Sequence, residues 1–457
     1  MKQLLHRFQA GNDISWVSGL KDRAFLGSSA SDGVVEFLES EPSATTTNDP
    51  QREALSNEIQ AVAGCAVQDG EENKLSLYVA VARANKALAI YRISEEDLTT
   101  SQRDDESKQQ QSPTTTEAFT VHKTPKRVSS LCFAKVPADT NSESSKPLTV
   151  LIAGDLVGDV AAYSLTEATT QTTAKESEQE SASPYRRLLL GHTASMLTAV
   201  EMSRDQALLF SADRDEKIRI SSFPFTARIH GFLLGHLAFV SSMALCGEQW
   251  CVSTGGDGLL HVWDTLSCQT LGSHKFQSNN SDEEDDRLIP VKVAVHGHKP
   301  KSNQFCVTVI YERSKWLDTL SVTINEGYTK GAEIVHSQRR ELQSQPLAVV
   351  PWKESQVAVL VRDSDYLLAF STTTNSDEPA VMVSLPRDMR TDDLPDSLLE
   401  KDKDGSIAML KNTETRGPAQ QMPWNDAKRK ETARTRNRRY RKKRRGDNED
   451  TTAEASS

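Results

Sequence analysis

Two stretches, LLLGHTASMLTAV at 188–200 and FLLGHLAFVSSMA at 232–244, are one pattern written twice. Each carries a Gly-His pair, Gly191-His192 and Gly235-His236, 44 residues apart. Each continues into an alternating strand, an Asp-containing turn and another strand. In SADRDEKIRIS (211–221) the matching positions are Asp215, Ile218, Ile220 and Ser221. In STGGDGLLHVWD (253–264) they are Asp257, Leu260, Val262 and Trp263.

Weaker copies lie upstream. RANKALAIY (83–91) keeps the spacing with Asn85, Leu88, Ile90 and Tyr91, and AGDLVGDVAAY (153–163) keeps it with Gly158, Val160, Ala162 and Tyr163. A Gly-His start, a Trp-Asp end and a period of about 40–45 residues form the WD-repeat signature of a β-propeller. The rest of the chain agrees. LTVLIAG, QFCVTVIYE, QVAVLVRD and YLLAFST are short, β-branched or alternating, and bounded by turn residues. No long segment keeps a helical period. Six stretches are too polar and too poor in aromatics to form a core: 41–53, 99–117, 137–147, 166–184, 277–287 and 371–457. Setting them aside leaves roughly 300 residues, about seven units of the repeat length. The expected architecture is therefore all-β: a seven-bladed WD-repeat propeller over 1–370, with long polar loop insertions, and a disordered low-complexity tail over 371–457. Six blades also fit. The last two units, about Leu288–Val335 and Glu341–Ser371, carry no Gly-His or Trp-Asp marks.

Composition narrows the class. The chain has 457 residues, 37% hydrophobic residues and a net charge of −10. Its apolar runs are far shorter than the ~20 residues of a membrane span, and MKQLLHRFQAGND lacks the apolar centre of a secretory signal. No membrane association is expected. The six cysteines, Cys65, Cys132, Cys246, Cys251, Cys268 and Cys306, never take CxxC spacing. They read as small apolar residues in a reducing compartment, and no metal site is expected. No GxGxxG, P-loop, HExxH or GxSxG motif occurs, and GGDG at 255–258 is a hairpin turn. No catalytic or cofactor-binding residue is expected.

His192 and His236 invite a catalytic reading, but the blade offers a structural one. In WD-repeat blades this histidine bonds the Asp of the turn between the second and third strands, and a Ser or Thr and the closing Trp complete the network. The expected sets are His192 with Asp215, and His236 with Asp257, Ser253 and Trp263. Buried polar groups satisfied in this way fix a blade.

The run from Leu188 to Thr265, with the charged string ADRDEKIR at its centre, resembles the WD-repeat, non-catalytic subunit of the eukaryotic tRNA (guanine-N(7)-)-methyltransferase. TPKR at 124–127 and GDV at 158–160 fit the third blade of that family. The resemblance implies a heterodimer. Its catalytic subunit binds S-adenosylmethionine and methylates a guanine in the tRNA variable loop, while the propeller docks on it and holds it active. The resemblance also implies an ionic contact from a basic residue of the third strand, at Arg219, with Lys217 and Arg214 beside it. One departure is Leu156, which follows Asp155 where the family usually has Lys.

The tail holds a second signal. Lys428, Arg429, Lys430, Arg434, Arg436, Arg438, Arg439, Arg441, Lys442, Lys443, Arg444 and Arg445 fall within 18 residues that contain one Glu. Such a run is suited to nuclear import or to contact with an RNA backbone, so a nuclear location is expected. The rival readings are a general nuclear WD-repeat scaffold, in ribosome assembly or a ubiquitin ligase, and a propeller enzyme. The scaffold has no reason to carry the Gly191–Ser221 string, and the enzyme lacks a convergent set of reactive residues.

Overall fold

The computed structural model describes residues 2–10, 13–20, 23–28, 31–37, 57–68, 75–94, 115–116, 118–137, 147–165, 186–193, 195–277, 288–325, 331–353, 355–362, 366–372 and 381–384. The expected insertions 41–53 and 166–184, nearly all of the other three, and the basic segment 428–445 lie outside these residues. No helix among the described residues is long and apolar enough to cross a membrane.

Seven sheets follow one another along the chain. Blade one has β1 (Leu5–Ala10), β2 (Asp13–Leu20), β3 (Arg23–Ser28) and β4 (Ser31–Phe37). Blade two has β5 (Ile59–Gln68), β6 (Leu75–Arg83) and β7 (Ala87–Ser94); the two-residue β8 (Thr115–Thr116) then precedes its last strand, β9 (Thr120–Lys123). Blade three has β10 (Val128–Val136), β11 (Leu148–Asp155), β12 (Asp159–Ser164) and β13 (Arg186–Gly191). Blade four has β14 (Leu197–Met202), β15 (Leu208–Asp213), β16 (Lys217–Ser222) and β17 (Ile229–Leu234). Blade five has β18 (Val240–Cys246), β19 (Trp250–Gly255), β20 (Leu259–Asp264) and β21 (Gln269–Lys275). Blade six has β22 (Pro290–Lys299), β23 (Gln304–Tyr311), β24 (Trp316–Asn325) and β25 (Gly331–Glu341). Blade seven has β26 (Pro346–Pro351), β27 (Gln356–Val361), β28 (Tyr366–Ser371) and β29 (Val381–Ser384). The first strand of each blade packs on that of the next, and β26 packs on β1, so the seven blades close into a ring.

Three boundaries differ from the sequence reading. β8 lies inside the expected insertion 99–117 and pairs in parallel with β4, at the edge of blade one. Blade six runs on to Glu341 because β25 is an outer strand, mostly exposed or half-buried, and so lacks a clean apolar alternation. Blade seven continues past residue 370 into β29, which pairs with β28 and starts after a polar stretch.

Alternation builds the core. In blade four, Ile218 and Ile220 point one way and cluster with Val240, Met243 and Trp263 of blade five. Fully burying such a side chain contributes about 1.5–3 kcal/mol. Buried serines link neighbouring blades near the axis: Ser130 Oγ accepts from Val200 N at 3.1 Å, and Ser242 Oγ from Val293 N at 3.3 Å. Gln3 joins blades two and three, pairing its backbone with β5 while its amide bonds both backbone groups of Leu131.

The ring closes differently at its ends. Leu4, Leu5, Trp16 and Phe25 of the first blade form one cluster with Leu347, Trp352, Leu360 and Leu367 of the last. Among the described residues, no strand from either end of the chain pairs into the other end's sheet, and side-chain packing holds this seam.

Candidate partner-docking site

The charged string of blade four sits where two strands and one turn meet. Because Ile218 and Ile220 face blade five, Lys217, Arg219 and Ser221 face the other way. Arg219 is held by neutral acceptors. Its Nε donates to Ser221 Oγ at 2.9 Å, and its terminal nitrogens donate to the carbonyls of Thr226 at 3.1 Å and Gly191 at 3.4 Å. Thr226 Oγ1 in turn bonds the carbonyl of Leu189, which ties this turn to the outer strand of blade three. Among the described residues, no carboxylate pairs with Arg219, and partial burial lowers its pKa. The guanidinium is thus fixed in orientation but without a counter-charge.

Its neighbours differ. Arg214 Nε lies 3.7 Å from Asp215, and Lys217 Nζ lies 3.5 Å from Asp213. Both carry internal carboxylate partners. Only Arg219, of the three basic residues expected from the sequence, presents an unmatched charge.

The surface around it is apolar. Phe232 stands opposite Arg219 in the β16–β17 ladder, and Leu234 stands opposite Lys217. They are 38% and 62% exposed, Leu188 on β13 is 53% exposed, and Phe225 in the turn is 74% exposed. Large apolar groups gathered around an unpaired arginine are the composition of an interface centre. Strand alternation in the sequence puts Arg219 on this face but does not reveal the apolar rim. Phe232 and Leu234 read there only as part of a repeat start, and their exposure depends on how far the outer edges of the blades splay.

Both histidines sit in hydrogen-bond networks within their blades, and one partner differs from the expected one. His236 Nδ1 lies 3.0 Å from Asp257 Oδ2, and its Nε2 lies 2.8 Å from Ser253 Oγ, which also accepts from Trp263 Nε1 at 2.8 Å. His192 Nε2 lies 2.8 Å from Ser211 Oγ, and its Nδ1 lies 2.9 Å from Asp213 Oδ2, not from Asp215. Asp213 closes β15 at the place that Gly255 holds in β19. A Cβ at Gly255 would stand 2.6 Å from His236 Nδ1 and 2.9 Å from Asp257 Oδ1. The carboxylate therefore comes either from the strand end or from two residues further into the turn, and an Asp at one place excludes the need for the other. Asp215 is left to pair with Arg214.

In blade three, Asp155 occupies the strand-end position. Its Oδ1 accepts from the amides of Val157, Gly158 and Asp159 at 2.8–3.0 Å. Gly158 has φ +113°, and a Cβ there would meet two backbone carbonyls at 2.7 Å. Leu156 occupies this same turn and donates its amide to Arg127 O at 3.0 Å. Thr124 Oγ1 bonds the carbonyls of Lys126 and Lys86, which holds the TPKR turn and leaves Lys126 and Arg127 exposed.

The family model of the tRNA methyltransferase TRM82 WD40 domain matches residues 87–383. A Drosophila melanogaster protein named tRNA (guanine-N(7)-)-methyltransferase non-catalytic subunit wuho is 42% identical over 90 residues, which are 20% of this chain and 21% of that protein. The protein of the same name from Drosophila ananassae is 39% identical over 107 residues, 23% and 26% of the two chains. The chain thus spans about a quarter of the length of the curated relatives it matches. Among solved structures, the RRP9 WD40 repeats align with a TM-score of 0.49 and 14% identity, over 84% of this chain and 89% of that one.

Proposed function

Because this chain belongs to the family of the tRNA methyltransferase TRM82 WD40 domain, we propose that it is the non-catalytic subunit of a tRNA (guanine-N(7)-)-methyltransferase. In this reading it docks on a catalytic subunit that carries S-adenosylmethionine, and it keeps that subunit competent to form 7-methylguanosine in the variable loop of tRNA. The observation that carries the reading is the outer rim of blades three and four. There, an oriented guanidinium without a counter-charge stands among exposed apolar side chains.

The chemistry is interfacial. A partner that covers Phe232, Leu234 and Leu188 removes water from Arg219 as well. Its existing bonds to Gly191 O, Thr226 O and Ser221 Oγ hold the planar guanidinium in one orientation, so little side-chain entropy is lost on docking. An acidic residue on the partner completes the pair. Losing one member of a desolvated pair costs about 2–5 kcal/mol of affinity. Lys217 and Arg214 contribute less, since each already has a carboxylate.

Co-expression with the catalytic subunit tests this directly, with 7-methylguanosine in tRNA as the readout. Activity should require both chains, and this chain alone should give none. Arg219→Leu should lower co-purification of the partner at least ~30-fold, as its share of that affinity implies, while the free variant, which also loses the bonds to Ser221, Thr226 and Gly191, still unfolds cooperatively. Full activity of the partner alone, with no complex, would leave a general WD-repeat scaffold.

The basic segment 428–445 fits a nuclear location and direct binding to the tRNA backbone. Deleting it should shift a fluorescent fusion from nucleus to cytoplasm. It should also flatten the dependence of tRNA binding on salt, with the slope falling by about 0.7–0.9 for each phosphate that the segment no longer neutralises.

A further inference from the structure

Three possible ligands meet in blade five, outside the docking rim. His236, Asp257 and His261 are all buried, and one donor atom from each lies within 4.8 Å of the other two. Two of them are already bonded. His236 Nδ1 faces Asp257, and the Asp257 carboxylate also accepts from the amides of Leu237 at 2.8 Å and Leu259 at 3.1 Å. His261 differs. It is 7% exposed, and among the described residues neither of its ring nitrogens has a hydrogen-bond partner. Its ring stands edge-on to that of His236, with centroids 4.6 Å apart and planes at 80°.

The position of His261 makes this informative. It pairs across the sheet with Ser253, as Arg219 pairs with Ser211 in blade four. The long arginine reaches two carbonyls and a hydroxyl there. Among the described residues the imidazole at the same register makes no hydrogen bond and, of aromatic rings, touches only those of His236 and Trp263, and its flanking residues, Ser253 and Ser273, are small. A buried imidazole with two idle nitrogens is unfavourable for folding by itself. It becomes favourable once a nitrogen gains a partner.

We propose that His236, Asp257 and His261 bind one divalent transition-metal ion of borderline softness, zinc being the best match. Two imidazole nitrogens and a carboxylate oxygen are a zinc donor set. Ligands about 2.0–2.2 Å from zinc stand roughly 3.3 Å apart in a tetrahedron. The His236 and Asp257 atoms, at 3.0 Å, are already near that spacing, and no pair of the three donor atoms is more than 4.8 Å apart.

The protons balance. Asp257 suffers desolvation, but its bonds to His236 and to the two amides outweigh it and hold the carboxyl below its usual range, ionised. Burial lowers the pKa of His261 to about 4, so it is a neutral ligand at ordinary pH. The ion displaces the Nδ1 proton of His236 to solvent. Ser253 Oγ, bonded to His236 Nε2, orients that ring from behind, and water takes the fourth position.

The test uses the full chain, stripped with a chelator and titrated with zinc by calorimetry and with cobalt by visible absorption. One equivalent should bind, with the intense bands of tetrahedral cobalt. Saturating zinc should raise Tm by about 2–4 °C. His261→Ala removes no hydrogen bond, so the metal-free variant should fold. It should weaken zinc binding at least ~100-fold, more than loss of an outer-shell partner would. If that variant does not fold, the wild-type cobalt spectrum and stoichiometry decide alone. Absence of saturable binding to the wild type would overturn the site. So would binding that survives His261→Ala unchanged, because the ion would then sit elsewhere.

Discussion

Asp213 and Asp215 lie two residues apart and do different work. Asp213 is buried, faces His192 and accepts the amide of Lys217 at 3.1 Å. Asp213→Ala strands both donors and should cost about 3 kcal/mol in denaturant unfolding. Asp215→Ala should stay within about 0.5 kcal/mol, since its contact with Arg214 is a partly exposed one. The reverse order would return the network to Asp215. Sequence alone shows that a histidine, a serine and a carboxylate belong together here. It does not show which Asp supplies the carboxylate, because aligning the two turns puts Asp215 on Asp257 and hides the different backbone position from which each side chain reaches. Arg219 is legible from strand alternation, whereas its lack of a carboxylate depends on neighbours from another blade.

The blades without Gly-His marks are held by other chemistry, and blade six shows how. Asp318 is fully buried on β24. It accepts from Tyr311 Oη at 2.6 Å and from two nitrogens of Arg339 at 2.8 and 2.7 Å, and Arg339 lies over the Trp316 ring at 4.5 Å. Desolvation raises the carboxyl pKa, but the bonds from Arg339 and Tyr311 outweigh it and bring the net value down. A depressed carboxylate stabilises the fold above its unfolded pKa, and that contribution is lost as pH falls through the folded value. Tm measured downward from about pH 5 should therefore fall more steeply in the wild type than in Asp318→Asn. At neutral pH, Asp318→Asn should cost about 3–5 kcal/mol, because Arg339 loses its counter-charge. A Tyr–Asp–Arg set spread over three strands has no spacing signature, which is why the sequence shows this blade only as strands. The half-exposed outer strand β25 blurs its boundary for the same reason.

At the scale of the ring, charges on separate blades meet. Glu201 on β14 and Lys292 on β22 belong to the first strands of blades four and six, yet each feels the charge of the other. Burial raises Glu201 to about 7, with Lys292 opposing, and burial lowers Lys292 to about 8. The folded chain therefore holds a proton on Glu201 that the unfolded chain has released from about pH 4.5 upward. Stability falls as pH rises across that window. Glu201→Gln should flatten the Tm profile between about pH 4.5 and 7, and an unchanged profile would show that Glu201 titrates normally. Length and period allow seven blades or six, and the seven sheets decide it; which charges of separate blades come together follows only from ring closure.

The seam between the first and last blades sets a schedule for synthesis. Leu4, Trp16 and Phe25 find their cover in residues that begin at Leu347. A ribosome working at about 5–20 residues per second needs roughly 15–60 s to make the intervening chain. For that interval the leading blade emerges with the apolar flank that meets the last blade bare. Until the final blade arrives, that bare flank is open to contacts with other chains. A premature stop in blade seven would leave six formed blades as an open arc with two sticky ends.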